Sequence, residues 1–242
     1  SVGALAAPLS GPTLASKCGW EVAFIIIGAL GFGWMFFWIY MYDKPYASKH
    51  VNKAELEYIN QDEATEKEEE KKVSIKEEKA IPFLKCFSYK QTWSFIAGKF
   101  FTDGVWWFYL FWAPAYFSEM GKSMQTTEGK MLVFVLYLIV TVVSIFGGYL
   151  PKYFVEKKAM EPYAGRMRAM LIFAFVPLLA LFAQPLQDYS IWFPAIIIGL
   201  AGAGHQAWSA NIYSTTGDMF PKSTIATITG IGTMAGGIGS YL

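Results

Sequence analysis

Long apolar runs separated by short polar breaks set the pattern of this chain. The clearest runs cover residues 20–42, 92–117, 131–150, 169–186 and 191–213. A helix needs about 20 apolar residues to cross a hydrocarbon core about 30 Å thick. Each run meets that length, and no period-2 alternation of the kind that marks barrel strands competes with it. The expected fold class is an all-α integral membrane protein with five complete spans and two partial ones. The partial ones are the opening residues, an apolar helix interrupted by Pro8 and Pro12, and the glycine-rich run 225–242. Because Ser1 already lies inside an apolar pattern and 225–242 stops without a polar cap, the chain is expected to be a piece of a longer protein.

The polar breaks supply the orientation. Residues 43–91 hold about half of all the lysines, and Lys/Arg excess in loops near span ends marks the cytoplasmic side. Alternation then puts 118–130 outside, 151–168 inside, 187–190 outside and 215–224 inside. The 151–168 segment carries Lys152, Lys157, Lys158, Arg166 and Arg168, whereas 187–190 carries no Lys or Arg, so the assignment is self-consistent. Within 43–91, Asn52 with Glu55 forms a helix N-cap pattern, and Glu63/Lys67 and Glu68/Lys72 have the spacing that supports an exposed helix. This segment is expected to be a solvated, partly helical linker. Residues 81–93 mix Phe83, Leu84, Phe87 and Trp93 with Lys85 and Lys90, a pattern suited to the membrane interface.

Composition agrees with the patterning: 54% of residues are hydrophobic, 18% aromatic and only 16% charged, which is a membrane composition. The net charge of +1 carries no information about partners, because Lys and Glu cancel within one loop. Cys18 and Cys86 fall at opposite expected membrane surfaces and are not expected to pair. No CxxC, Cys/His or HExxH spacing is present, so no metal, cofactor or catalytic residue is expected, and no nucleic-acid partner either. His205 beside Ser209 lacks a third orienting group, which argues against an enzyme. The sole polar segment is too short and too charged to build a sensory domain, which argues against a receptor.

Ionisable groups inside spans are costly unless they face a wet or paired interior, so they are the candidate functional residues. Lys99 and Asp103 are four apart on one helix and suit an ion pair or a gating role, with Trp106 and Trp107 one turn further along. The span 191–213 holds the densest polar cluster: His205, Gln206, Ser209 and Tyr213 share one arc of a helical wheel, Trp208 flanks it and Asn211 lies beyond. Amide, hydroxyl and imidazole groups beside an indole suit a hydroxylated solute, whose hydroxyls need donors and acceptors while its C–H face packs on a ring. The same groups also suit hydrogen bonds between helices. Glycines at 28, 31 and 33 and at 230, 232, 236, 237 and 239 permit close helix contact. Gly230, Gly232 and Ala235 match a GxGxxA pattern, but without a preceding strand they do not make a dinucleotide site.

Four passages together resemble a known family: the apolar stretch from Gly3 to Pro45, GKFFTDGVWWFYLFWAPAYF at 98–117, HQAWSANIYSTTGDMFP at 205–221 and GIGTMAGGIG at 230–239. They are similar to the anion:cation symporter branch of the major facilitator superfamily and, within it, to the hexuronate transporters. The resemblance covers nearly the whole chain. It implies two six-helix bundles around a central cavity, here cut at both ends to about helices 5 to 11 of twelve. Residues 1–42 would end the N-terminal bundle, 43–91 would be the cytoplasmic inter-bundle loop, and 92–242 would form the C-terminal bundle. It further implies a multi-pass protein of the bacterial inner membrane, a monomer, working by alternating access. The solute would be a hexuronate such as galacturonate or glucuronate, with galactonate, glucarate or another small organic anion as the alternative, and protons as the coupling ion. Family residues for proton coupling and carboxylate recognition lie in helices upstream of Ser1. By position, Gln206, Trp208, Ser209 and Asn211, with His205, would contact the solute, and Trp107 and Tyr109 would wall or gate the cavity. The chain departs from the family in carrying Gly104 where relatives have a proline.

Overall fold

A computed structural model describes residues 2–43, 48, 51–59 and 80–241. Its elements are the helices α1 (Val2–Cys18), α2 (Trp20–Met41), α3 (Lys53–Ile59), α4 (Phe83–Cys86), α5 (Lys90–Glu119), α6 (Thr127–Ser144), α7 (Phe146–Lys158) and α8 (Pro162–Phe175). A 3₁₀ segment (Val176–Phe182) follows, then α9 (Ala183–Leu186), α10 (Trp192–Met219) and α11 (Lys222–Tyr241). No strand occurs among the described residues, and the fold is all-α. The chain divides into two compact units, residues 14–79 and residues 1–13 with 80–242. In the first unit, Asn52 caps α3 as its pattern predicts, its Oδ1 accepting the Glu55 amide at 2.8 Å. The pairs Glu63/Lys67 and Glu68/Lys72 lie outside the described residues.

Three stretches among the described residues are both long and apolar enough to cross a membrane: Trp20–Met41, Thr127–Lys158 and Pro162–Leu186. The expected spans 92–117 and 191–213 fall on α5 and α10. These helices, at 30 and 28 residues, exceed the required length but lack unbroken apolarity. Their polar groups interrupt it for a reason visible in the packing: both helices line the interior of the larger unit.

That unit is organised around α10, which packs against α6, α8 and the 3₁₀ segment, while α5 packs against α11. Small residues make the contacts possible. A Cβ on Gly199 would lie 3.0 Å from the Leu136 carbonyl oxygen, and one on Gly147 would lie 2.7 Å from Ala207. On α11, Gly232, Gly236 and Gly239 meet Phe95, Asp103 and the Phe100 backbone, so the helices touch nearly backbone to backbone. Gly230 and Gly237, and Gly28, Gly31 and Gly33 in the other unit, have open space at that position among the described residues. Around these contacts sit two apolar clusters, one with Phe117, Leu132, Leu136, Tyr137 and Ile198, the other with Phe95, Met170, Ile212, Phe220 and Ile228.

Two expectations are corrected here. Residues 151–168 are not a loop: α7 continues to Lys158 and α8 begins at Pro162, joined through Ala159 in the left-handed region (φ 51°). The basic residues of this segment sit on the last turns of α7 and the first turns of α8. Residues 169–186 are also not one regular helix. Pro177 has no amide hydrogen and its ring crowds the carbonyl four residues back, and the chain tightens to 3₁₀ from Val176 to Phe182.

Three segments expected on one membrane side, the first from charge and the others from alternation, meet at one end of the unit. Arg166 binds Asp218 through Nε (2.8 Å) and Nη2 (3.4 Å), tying the start of α8 to the end of α10. The Ile81 amide donates to Thr224 Oγ1 at 3.0 Å, and Cys86 is fully buried against Phe220 and its neighbours. The 81–93 segment is thus docked through Cys86 while Phe83, Leu84 and Trp93 stay exposed.

Candidate functional site

Helical spacing brings Lys99 and Asp103 one turn apart on α5, where the Lys99 ammonium donates to Asp103 Oδ1 at 2.7 Å. Lys99 is only 2% exposed, and its Nζ stands 4.2 Å from the centroid of the Tyr213 ring on α10. An ammonium buried this deeply needs both partners: the carboxylate neutralises it and the ring face replaces water on another side.

His205 meets the same stretch of α5. Its Nε2 lies 2.7 Å from the Thr102 carbonyl oxygen. A carbonyl can only accept, so Nε2 carries the proton, and in the neutral ring Nδ1 is left as an acceptor. Nδ1 is buried with no partner among the described residues. The imidazole also stacks on Trp106, with centroids 6.1 Å apart and planes 15° apart.

Lys99, Asp103, Trp106, Trp107, His205, Gln206, Ser209 and Tyr213 border one cavity of about 370 Å³, closed on a further side by Thr233 and Gly237 of α11. The volume suits a small solute. The α11 contribution escaped sequence reasoning. Its signal was the pair Thr229 and Thr233 at i,i+4: Thr233 donates to the Thr229 carbonyl at 2.9 Å and lies 3.3 Å from the Tyr213 hydroxyl.

What separates the polar groups of α10 is whether the protein already satisfies them. Gln206 and Ser209 make no side-chain hydrogen bond to any described residue, although both border the cavity. Asn211 is the opposite case. Pro151 cannot donate to the Gly147 carbonyl four residues before it, and Asn211 Nδ2 fills that vacancy at 2.8 Å while also reaching its own Ala207 carbonyl at 2.8 Å. Asn211 is 4% exposed and points between helices, where it ties α10 to α7 rather than bordering this cavity. Trp208 is also off this cavity: its indole packs with the cluster of Phe95, Ile212 and Phe220 and lies over Gly98. Both follow from the wheel, which carries residues 208 and 211 away from the arc of 206, 209 and 213. Tyr109 is also off this cavity, its hydroxyl donating to the Pro177 carbonyl at 3.3 Å. Trp107 stays at the cavity, stacked on Phe111 with centroids 5.7 Å apart. Among the described residues no group of His, Cys, Asp and Glu is arranged to hold a metal.

Comparison with known proteins places this geometry in context. The chain is 25% identical over 248 residues to the hexuronate transporter of Escherichia coli K12, covering 100% of this chain and 54% of the relative. It is 22% identical over 227 residues to the D-galactonate transporter of Escherichia coli O6:H1, covering 91% of this chain and 50% of the relative. It is 26% identical over 155 residues to the galacturonate transporter of Dickeya chrysanthemi, covering 64% and 43%. The chain spans about half the length of these curated relatives. The family model for the Major Facilitator Superfamily matches residues 1–242. With that match across an all-α bundle whose polar cavity is walled by long helices, the chain belongs to the Major Facilitator Superfamily.

Proposed function

We propose that the full-length protein is a secondary active transporter that carries a hexuronate, galacturonate or glucuronate, across a membrane by alternating access, with protons as the coupling ion. The observation that carries this reading is the cavity bordered by Gln206 and Ser209, whose side-chain hydrogen-bonding groups have no partner among the described residues, within reach of an indole and a buried ion pair. Polar groups left open between membrane helices cost free energy unless something completes their hydrogen bonds, and a polyhydroxy acid does so. Names of relatives, hexuronate and galacturonate transporters among them, support the same solute class. A bacterial inner-membrane location, a cytoplasmic 43–91 segment and a monomeric state belong to this reading.

A second substrate is favoured by one observation, the similarity to a D-galactonate transporter. An open-chain sugar acid offers the same hydroxyls to Gln206 and Ser209. The test is uptake of radiolabelled galacturonate, glucuronate and galactonate into proteoliposomes holding the full-length protein, with and without an inward proton gradient. Gradient-stimulated hexuronate uptake is the expected result. Uptake of galactonate alone would replace the substrate, and uptake unaffected by the gradient would remove proton coupling. Failure of folded protein to take up any acid would overturn the reading.

A further inference from the structure

Beside the cavity of Lys99 and Asp103 lies a second chamber of about 310 Å³, and Trp106 and Gln206 border both. Its other walls come from Tyr137, Thr141 and Ser144 of α6 and from Ala4 of α1. Residues 137, 141 and 144 follow i, i+4, i+7 spacing, so α6 turns one hydroxyl-bearing stripe toward this space. The residues bordering it carry no charge, in contrast to the ion pair of the first cavity.

Two of these groups make no hydrogen bond to any described residue. Tyr137 is only 7% exposed, and its hydroxyl has no hydrogen-bond partner among the described residues. The Gln206 amide, on a half-buried residue, has none either. By contrast, Ser144 is already engaged, donating to the Thr141 carbonyl at 3.2 Å. Both groups are available to bond a hydroxyl that enters the chamber, the phenol as donor or acceptor and the amide as both.

We propose that this chamber is a neutral hydroxyl subsite, in which Tyr137 of α6 and the Gln206 amide hold the polyol end of the solute. The inference rests on the transport reading above and deepens it. A carboxylate entering the second chamber would be an uncompensated charge between membrane helices, whereas a sugar hydroxyl both donates and accepts there. The chamber therefore selects hydroxylated acids over simple carboxylates, and Tyr137 is a specificity-determining residue.

The test uses the full-length protein in proteoliposomes, wild type against Tyr137→Phe, with D-galacturonate and its singly deoxygenated analogues as competing solutes. Tyr137→Phe keeps the ring in its apolar cluster and removes only the hydroxyl, so its thermal unfolding should match wild type. The expected result is a KM for galacturonate raised about fivefold to tenfold with maximal uptake retained, the loss of one hydrogen bond. One deoxy analogue, the one lacking the hydroxyl that Tyr137 holds, should be carried equally well by both proteins. Unchanged KM for galacturonate would overturn the subsite, as would an equal loss for every analogue, which marks a packing role. If wild type carries no sugar acid at all, the transport reading falls and this inference with it; if only the variant comparison fails, the transport reading stands.

Discussion

Two flanks of α10 carry polar and aromatic residues at nearly the same depth, yet the structure uses them in opposite ways. On one flank Gln206 and Ser209 border a cavity with their side-chain groups unpartnered among the described residues. On the other, Asn211 is closed by two carbonyls and Trp208 is packed into an apolar cluster. Residue type does not tell these flanks apart, since an amide stands on each. The difference is whether the protein supplies the partner. A polar side chain completed by its own fold is a structural tie, and one left incomplete beside a cavity is free to bond whatever enters it.

The largest expected effect belongs to α5, where the pair of Lys99 and Asp103 extends the comparison to charge. Because Lys99 is only 2% exposed, Asp103→Ala leaves an unpaired ammonium inside the bundle. Folded stability, measured by thermal or denaturant unfolding in detergent, should fall by about 3 kcal/mol. The double substitution Lys99→Met with Asp103→Leu should recover most of the loss, because no buried charge is then left alone. If Asp103→Ala unfolds like wild type and only uptake is lost, the pair belongs with the open flank of α10 rather than with the ties.

Next in size is Gln206→Ala, expected to leave unfolding unchanged and to reduce uptake of the carried acid about tenfold, near the upper end for one or two lost hydrogen bonds. Its unfolding is the sharper readout. An amide with no protein partner contributes nothing to the fold when removed, so a clear loss of stability would show that Gln206 is a tie like Asn211.

The helical wheel drawn from sequence already grouped His205, Gln206, Ser209 and Tyr213, and all four border the cavity. That grouping was legible because it depends only on the α-helical period. Where the pattern failed, the decisive partner lay on another helix. The role of Asn211 is set by Pro151, sixty residues earlier in the chain, whose missing amide hydrogen leaves the Gly147 carbonyl open. The tautomer of His205 is set by the Thr102 backbone, and the cavity floor by Thr233, neither of which announces itself in a linear pattern. The five long helical regions were legible from apolar length, but apolar length alone read 151–168 as a loop, because helix ends that leave the bilayer carry the same lysines and arginines as loops do. The helix irregularity at Val176–Phe182 was written in Pro177, yet apolar counting alone passes over it.

Asn211→Ala is the smallest expected effect and the most direct probe of the two flanks. Removing the amide leaves the Gly147 carbonyl without a donor and opens a small gap between α10 and α7. Interhelical hydrogen bonds in membrane bundles are worth about 0.6 kcal/mol on average, and the orphaned carbonyl raises the expected loss to about 1 kcal/mol. Unfolding should therefore shift modestly, while the KM for the carried acid stays within about twofold of wild type. Asn211→Asp should be worse than Asn211→Ala, because a carboxylate cannot donate to either carbonyl and adds charge where the residue is 4% exposed. A variant at 211 that unfolds normally yet loses the solute would mean that α10 turns this flank to the solute in another conformation of the cycle. The open groups at Gln206 and Ser209 would then mark only one of the two binding faces.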